Sequence, residues 1–309
     1  MRILFVGTVE FSRHCLEELL DHAAPHDGQV VAVLTLDPAQ ANGHADYTDL
    51  AHVIDGQSIP LHRIRDINAP HAVELIRSYT PDVLCVFGWS QLISKTVLEI
   101  PPLGCIGAHP ALLPHHRGRH PIIWALVEGL SESGLTFFYL DERADHGDIL
   151  WQRAFPITLQ DDAASVYARV TSLAREAIRE FLPQLAQGTA PRRPQDHRQA
   201  TYWRKRHAQD GEISWEAPTL HSYNLIRALA HPYVGAHTSY QGQRLRVWRS
   251  ALPDGPLPDG AERLVPGTVL LAGGKGLVVR TNDGYLRLVD YELPSGGPVP
   301  CGAQLGVRG

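Results

Sequence analysis

Residues 1–36 read MRILFVGTVEFSRHCLEELLDHAAPHDGQVVAVLTL, and their apolar pattern decides the fold. Ile3 to Gly7 is a short apolar run, and Gln29 to Leu36 is a second. Continuous runs of this length predict strands buried on both faces. Between them Phe11, Cys15, Leu16, Leu19 and Leu20 recur near helical spacing, which predicts a helix over 11–23. A strand, a helix and a second strand of this length make a βαβ unit, and therefore a parallel sheet. The turn Gly7-Thr8-Val9-Glu10 is not G-x-G-x-x-G, which argues against a dinucleotide enzyme. Backbone N–H groups at the helix start could hold an anion, but an ordinary tight turn accounts for the same residues.

The pattern continues along the chain. A helix is predicted over 69–78 and a buried strand over 82–88. Trp89 to Ile93 then turns into a helix ending near Ile100. Leu103 to Ile106 starts another buried strand, which ends at His109. The Pro- and Gly-punctuated segment that follows can neither extend a strand nor start a helix before Pro121. His109 is thus expected where a strand gives way to a loop, the place where open α/β sheets bind ligands. Next come a helix over 121–130, a strand over 134–140, an acidic loop over 141–147 and a strand over 149–157. A long helix over 161–187 follows, with Asp161 and Asp162 suited to its N-terminus. The Pro-, Arg- and Gln-rich stretch 188–197 reads as a linker. Beyond a short helix over 220–230, five short alternating strands separated by Gly turns predict a small β-barrel. The expected fold is a doubly wound, mostly parallel α/β domain over 1–190, a linker over 191–200 and a β-rich domain over 201–309.

Composition narrows the class. The chain is 44% hydrophobic and 20% charged, which is ordinary globular composition. A net charge of -5 argues against a nucleic-acid partner. Cys15, Cys85, Cys105 and Cys301 form no C-x-x-C pair, and the first three fall within apolar patterns, so buried thiols in a reducing, cytoplasmic setting are expected. No apolar run approaches ~20 residues, which leaves no expected membrane span. His109, His115, His116 and His120 cluster, yet no carboxylate lies among them and no H-E-x-x-H occurs, so no metal is expected.

The central stretch runs Gly104-Cys105-Ile106-Gly107-Ala108-His109-Pro110-Ala111-Leu112-Leu113-Pro114-His115-His116-Arg117-Gly118-Arg119-His120-Pro121, and later Arg143-Ala144-Asp145-His146-Gly147-Asp148-Ile149-Leu150. Both segments resemble the two motifs of the folate-dependent formyltransferases, a family that includes methionyl-tRNA formyltransferases and sugar-nucleotide N-formyltransferases. The family's usual triad is Asn-x-His in the first motif and Asp in the second. His109 and Asp145 match, and Gly107 stands where the family has Asn. The resemblance implies N10-formyltetrahydrofolate as the formyl donor. It places Gln91, Leu92, Ile93, Leu112 and Asp141 around the folate, although Leu92 and Ile93 read equally well as core. The C-terminal domain is expected to be OB-like, with Tyr202 to Arg206 and Asn224 to Ala228 resembling its entry segments.

These residues suit formyl transfer to an amine. An imidazole titrating near neutrality can supply general acid–base help worth about 10²–10⁴-fold, and a carboxylate beside it favours the imidazolium. Taken singly, His109 is a loop histidine and Asp145 a turn acid; in both motifs, in the right order, they read as a catalytic pair with Asp148 as a rival acid. Gly107 offers no side-chain donor to the formyl oxygen. A backbone N–H, water, Gln91 or Ser90 would have to substitute. Arg117 and Arg119 read either as solvated loop charge or as forks for a substrate phosphate or folate tail, and Arg204 and Lys205 form a second basic point.

Three functions follow. The spelling Arg-Gly-Arg-His-Pro resembles the branch that formylates amino sugars on nucleotides, including an enzyme of lipopolysaccharide modification. The loop 37–49 holds no Lys or Arg, whereas methionyl-tRNA formyltransferases carry a basic insertion near this point. The first expectation is therefore a nucleotide-sugar N-formyltransferase, for which a homodimer is an open arrangement. The alternatives are a methionyl-tRNA formyltransferase and, because of Gly107, a non-catalytic binding homologue.

Overall fold

The computed structural model describes residues 1–41, 46–253, 255 and 259–307. Residues 42–45 of the predicted loop 37–49 therefore lie outside the described residues. The chain divides into two compact units. One comprises 1–121, 132–156 and 168–204; the other comprises 122–131, 157–167 and 205–309.

In the first unit the elements are β1 (Arg2–Val6), α1 (Glu10–His22), β2 (Gln29–Leu36), β3 (Leu61–Ile64), α2 (Pro70–Ser78), β4 (Val83–Val86), α3 (Lys95–Leu98) and β5 (Cys105–His109). They continue with β6 (Arg117–Gly118), α4 (Pro121–Val127), β7 (Glu132–Tyr139), β8 (Ile149–Pro156), α5 (Ala163–Ala186) and β9 (Tyr202–Trp203), of which α4 and α5 run across the boundary between the units. A seven-stranded sheet is ordered β3-β2-β1-β4-β5-β7-β8. Its first five strands are parallel, and β7 runs antiparallel to both β5 and β8. Strand order reverses between β1 and β4, so the carboxyl ends of β1, β4 and β5 share the edge where such sheets bind ligands.

The apolar runs that predicted strands are buried: Ile3 to Val6, Ala32 to Leu34 and Val83 to Leu84 are all at 0% exposure. Cys15, Cys85 and Cys105 lie in the same core. Burial raises the Cys15 and Cys85 thiols and pushes Cys105 up to about 12, so these thiols stay protonated and inert. The turn after β1 is closed by its own chain. The N–H groups of Thr8 and Val9 both donate to Ser12 Oγ, at 3.0 and 3.1 Å, and Ser12 Oγ donates to the carbonyl of Phe87.

In the second unit Ser165 N–H donates to Asp162 Oδ1 at 2.9 Å and Thr158 N–H to Asp161 Oδ2 at 2.8 Å, so both acids satisfy backbone donors around the start of α5. After α6 (Thr219–Leu229) come β10 (Ala236–Tyr240), β11 (Gln243–Ala251), β12 (Val269–Gly273), β13 (Gly276–Arg280) and β14 (Tyr285–Glu292). The five strands predicted from alternation form an antiparallel sheet ordered β10-β11-β14-β13-β12. Among the described residues no helix is long and apolar enough to cross a membrane.

Candidate active site

β5 delivers His109 to the carboxyl edge of the sheet as the last residue of an apolar strand between β4 and β7. The chain then loops back to β6, which pairs with β9 through Arg117↔Tyr202 and Gly118↔Trp203. This pairing fixes the histidine's surroundings. His116, with a left-handed φ of 62°, stacks on Trp203 at 4.1 Å between ring centroids, and its N–H donates to Thr201 Oγ1 at 2.8 Å. The carbonyl of His116 lies 2.7 Å from His109 Nε2. A carbonyl can only accept, so Nε2 carries the hydrogen and Nδ1 of the neutral ring is left with a lone pair.

Asp145 lies on the Nδ1 side of the ring. Nδ1 of His109 and Oδ2 of Asp145 are 3.7 Å apart, with the two side chains 5% and 17% exposed. The same carboxylate oxygen accepts the N–H of Gly118 at 2.7 Å. Gly118 has φ of 109°, and a Cβ there would come within 2.1 Å of the Trp203 carbonyl, so only glycine lets β6 approach β9 and present this N–H. Asp148, the rival acid, contributes its backbone: its carbonyl accepts the N–H of Tyr139 at 2.8 Å.

Gly107 sits buried in mid-strand, outside the positive-φ glycines. A Cβ at 107 would stand 2.5 Å from Leu140 Cδ2 and 3.2 Å from Leu140 Cγ, so the Leu140 side chain fills the room that a larger residue would need.

The other predicted site residues divide. Gln91 is committed elsewhere: its Oε1 accepts Ile67 N–H at 3.1 Å and its Nε2 donates to the Arg65 carbonyl at 2.6 Å. Both ends of its amide are thus engaged by the backbone of the segment between β3 and α2. Ile93 is core at 5% exposure, whereas Leu92 is 60% exposed. Leu112 packs towards β7, its Cδ2 2.2 Å from where a Cβ on Gly134 would lie. Asp141 accepts from Arg143 N–H at 2.8 Å and is paired with His146 Nδ1 at 2.5 Å. Ser90 is exposed.

Arg117 is not a surface fork. It is 1% exposed, and it donates to Tyr202 Oη at 2.9 Å, Gln195 Oε1 at 2.6 Å and His197 Nδ1 at 2.9 Å. The backbone pairing of β6 pulls it inward, and its terminal nitrogens are spent on protein acceptors. Arg119, Arg204 and Lys205 are exposed. Among the described residues no group of three His, Cys, Asp or Glu side chains could hold a metal ion.

Residues 1–182 match the model of the family described as formyl transferase, and residues 205–303 match that of the formyl transferase C-terminal domain. The chain belongs to the formyl transferase family. The methionyl-tRNA formyltransferase of Geotalea daltonii is 32% identical over 305 residues, covering 98% of this chain and 94% of that protein. Two solved structures share the fold. HypX from Aquifex aeolicus in complex with tetrahydrofolic acid aligns at 20% identity and a TM-score of 0.67, over 95% of this formyl transferase and 44% of HypX. The N-formyltransferase from Helicobacter canadensis, in complex with folinic acid and dTDP-3-aminofucose, aligns at 15% identity and a TM-score of 0.67, over 94% of this chain and 99% of that one.

Three contributors to the site carried no signal that sequence reasoning used: the His116 carbonyl, the Gly118 N–H and Gln195. Two are backbone groups. The third lies in a stretch whose composition reads as a linker, yet Gln195 is 6% exposed and Arg193 makes a backbone bridge to Ile149.

Proposed function

We propose that this chain transfers a formyl group from N10-formyltetrahydrofolate to a primary amine, with His109 as the general base and Asp145 as its partner. The observation that carries the reading is the 3.7 Å approach of His109 Nδ1 to Asp145 Oδ2 while Nε2 is held by a carbonyl. The folate donor fits the edge of the sheet. Trp89 Nε1–H is buried there without a partner, and the exposed Leu92 follows it in the chain. When bound, the donor supplies an electrophilic formyl carbon whose oxygen gathers negative charge as the amine adds.

The chain's residues handle the proton. Nδ1 of His109 accepts it from the attacking nitrogen, and the imidazolium so formed lies between the Asp145 carboxylate and the His116 carbonyl, both of which stabilise it. The same proton is then available to the departing folate nitrogen. Position 107 supplies no side-chain donor to the developing oxyanion, and loss of one such donor costs about 10²–10³-fold in rate.

The whole-length identity to methionyl-tRNA formyltransferases favours the amino group of methionyl-tRNA as the acceptor. Charge favours a second reading, an amino sugar carried on a nucleotide. The loop 37–49 has no cation, and the nearby Arg63 and Arg65 are paired with Asp49 and Asp37 at 2.9 and 3.3 Å. A tRNA grip needs cations free for phosphates. Presenting both acceptors to the same enzyme with N10-formyltetrahydrofolate tests the choice. Formylation of methionyl-tRNA with steep salt dependence supports the first reading, and formylation of the nucleotide sugar alone supports the second.

A further inference from the structure

We propose that Gln195 is a positioning residue, holding the Asp145 loop in the geometry that sets the carboxylate beside His109. The proposal rests on the formyl-transfer reading for its effect on rate, but its structural half stands without it. Asp145 has a left-handed φ of 54°, a conformation less favourable for a residue with a Cβ than for glycine, so contacts that hold the loop there matter to its geometry. Gln195 Nε2 lies 3.0 Å from the carbonyl of Asp145 and 2.6 Å from that of Gly147, so one amide group bridges the residues on either side of His146. Its Oε1 lies 2.6 Å from Arg117 Nη2.

The amide orientation follows from these partners. Two carbonyls require a donor, and a guanidinium requires an acceptor, so Nε2 must face the loop and Oε1 must face Arg117. Arg117 is itself fixed by Tyr202 and His197, and its N–H donates to the Thr201 carbonyl at 2.9 Å. The chain of contacts therefore runs from β6–β9 through Arg117 and Gln195 into the loop. The carboxylate closes it by accepting the Gly118 N–H on β6. Both ends of the Asp145 residue, backbone and side chain, are thus tied to the strand pair that also places the His116 carbonyl on His109.

The substitution Gln195→Glu separates this role from packing. Glutamate has the same length and keeps an acceptor for Arg117, but it turns an oxygen towards the two carbonyls. Gln195→Met keeps the length and removes the donor without adding charge. Both variants should lower kcat by about tenfold or more, in line with the cost of a misplaced catalytic group, with KM for donor and acceptor within about twofold. In an Asp145→Ala background either change should cost no more than about twofold, because the group being positioned is gone. Hydrogen exchange supplies a readout independent of turnover: the 141–149 segment and the Gly118 amide should exchange faster in both variants, with the β1–β5 sheet unchanged. Unchanged exchange, or faster exchange with unchanged kcat, overturns the proposal, as does an equal loss in the Asp145→Ala background. If the wild-type enzyme transfers no formyl group to any acceptor, the reaction reading fails, and the exchange experiment still decides whether Gln195 holds the loop.

Discussion

His109 Nδ1 stands 3.7 Å from Asp145 Oδ2, and the opposite ring nitrogen donates to the His116 carbonyl at 2.7 Å. The ring is thereby held at Nε2, with the acid on its Nδ1 side. Because His109 is 4% exposed, its substitution has to respect packing as well as chemistry.

Gln at 109 can still donate to the His116 carbonyl but has no basic nitrogen. His109→Gln should reduce turnover by about 10²–10⁴-fold, the range of general acid–base help. The thermal midpoint should shift by only a few degrees. Steady-state kinetics beside a melting curve check this; turnover near wild type removes His109 from the mechanism.

Asp145→Asn keeps an oxygen for the Gly118 N–H while removing the charge. At this distance a carboxylate stabilises an imidazolium by about 1–4 kcal/mol, depending on the local dielectric, so kcat should fall by about 10- to 100-fold. Asp148→Asn should change it little, since its observed tie to the loop is through the backbone carbonyl. Parallel kinetics of the two variants decide between the acids.

At Gly107 the expected outcome depends on Leu140. Gly107→Asn alone drives a Cβ against the Leu140 side chain, so activity should fall or stay level. Gly107→Asn with Leu140→Ala opens the space, and the added amide can donate to the formyl oxygen. The double variant should then turn over up to about 10²-fold faster than Leu140→Ala alone. No gain in that comparison means that oxyanion stabilisation does not run through position 107.

His14, His62 and His237 are among the histidines that set a pH window for stability. Burial lowers His14, His62 and His237 below 6.5, aided at His14 by Arg13 and Arg175 and at His237 by Arg244 and Arg246. The unfolded chain therefore binds protons before the folded one does as pH falls through about 6.5. The stability these neutral rings carry is fully present above that value and is lost as pH drops through the folded values. The midpoint of denaturant unfolding should decline from pH 7.5 to 5.5, and His62→Gln should flatten the slope. A midpoint that rises over this range contradicts the assignment.

Much of this was legible in the sequence for definite reasons. β1, β2 and β4 are strands of a covered parallel sheet, so their sequences are unbroken apolar runs with clear ends. His109 and Asp145 stood inside two motifs in the right order. β3 was missed because Leu-His-Arg-Ile at a sheet edge is half polar. The β6–β9 pair escaped because two residues carry no periodicity. Arg117 reads in the sequence either as solvated loop charge or as a substrate fork; its burial follows from a strand pairing with residues about 85 positions away, which no local pattern shows. Gln195 carried no expectation of its own inside the 188–197 stretch, and its amide bridges two loop carbonyls, while the Gln91 amide bonds backbone groups of Arg65 and Ile67. A glutamine's value is set by the groups its amide faces, and sequence does not show them.

Formyl transfer from N10-formyltetrahydrofolate should depend on His109 as its general base. Single-turnover transfer of labelled formyl from that donor, run with methionyl-tRNA and with a nucleotide amino sugar, tests it in wild type and in His109→Gln. Wild type should place a labelled amide on one acceptor, and the variant should do so at a rate at least about 10²-fold lower. Equal rates for the two proteins, or no labelled acceptor with either, would contradict it.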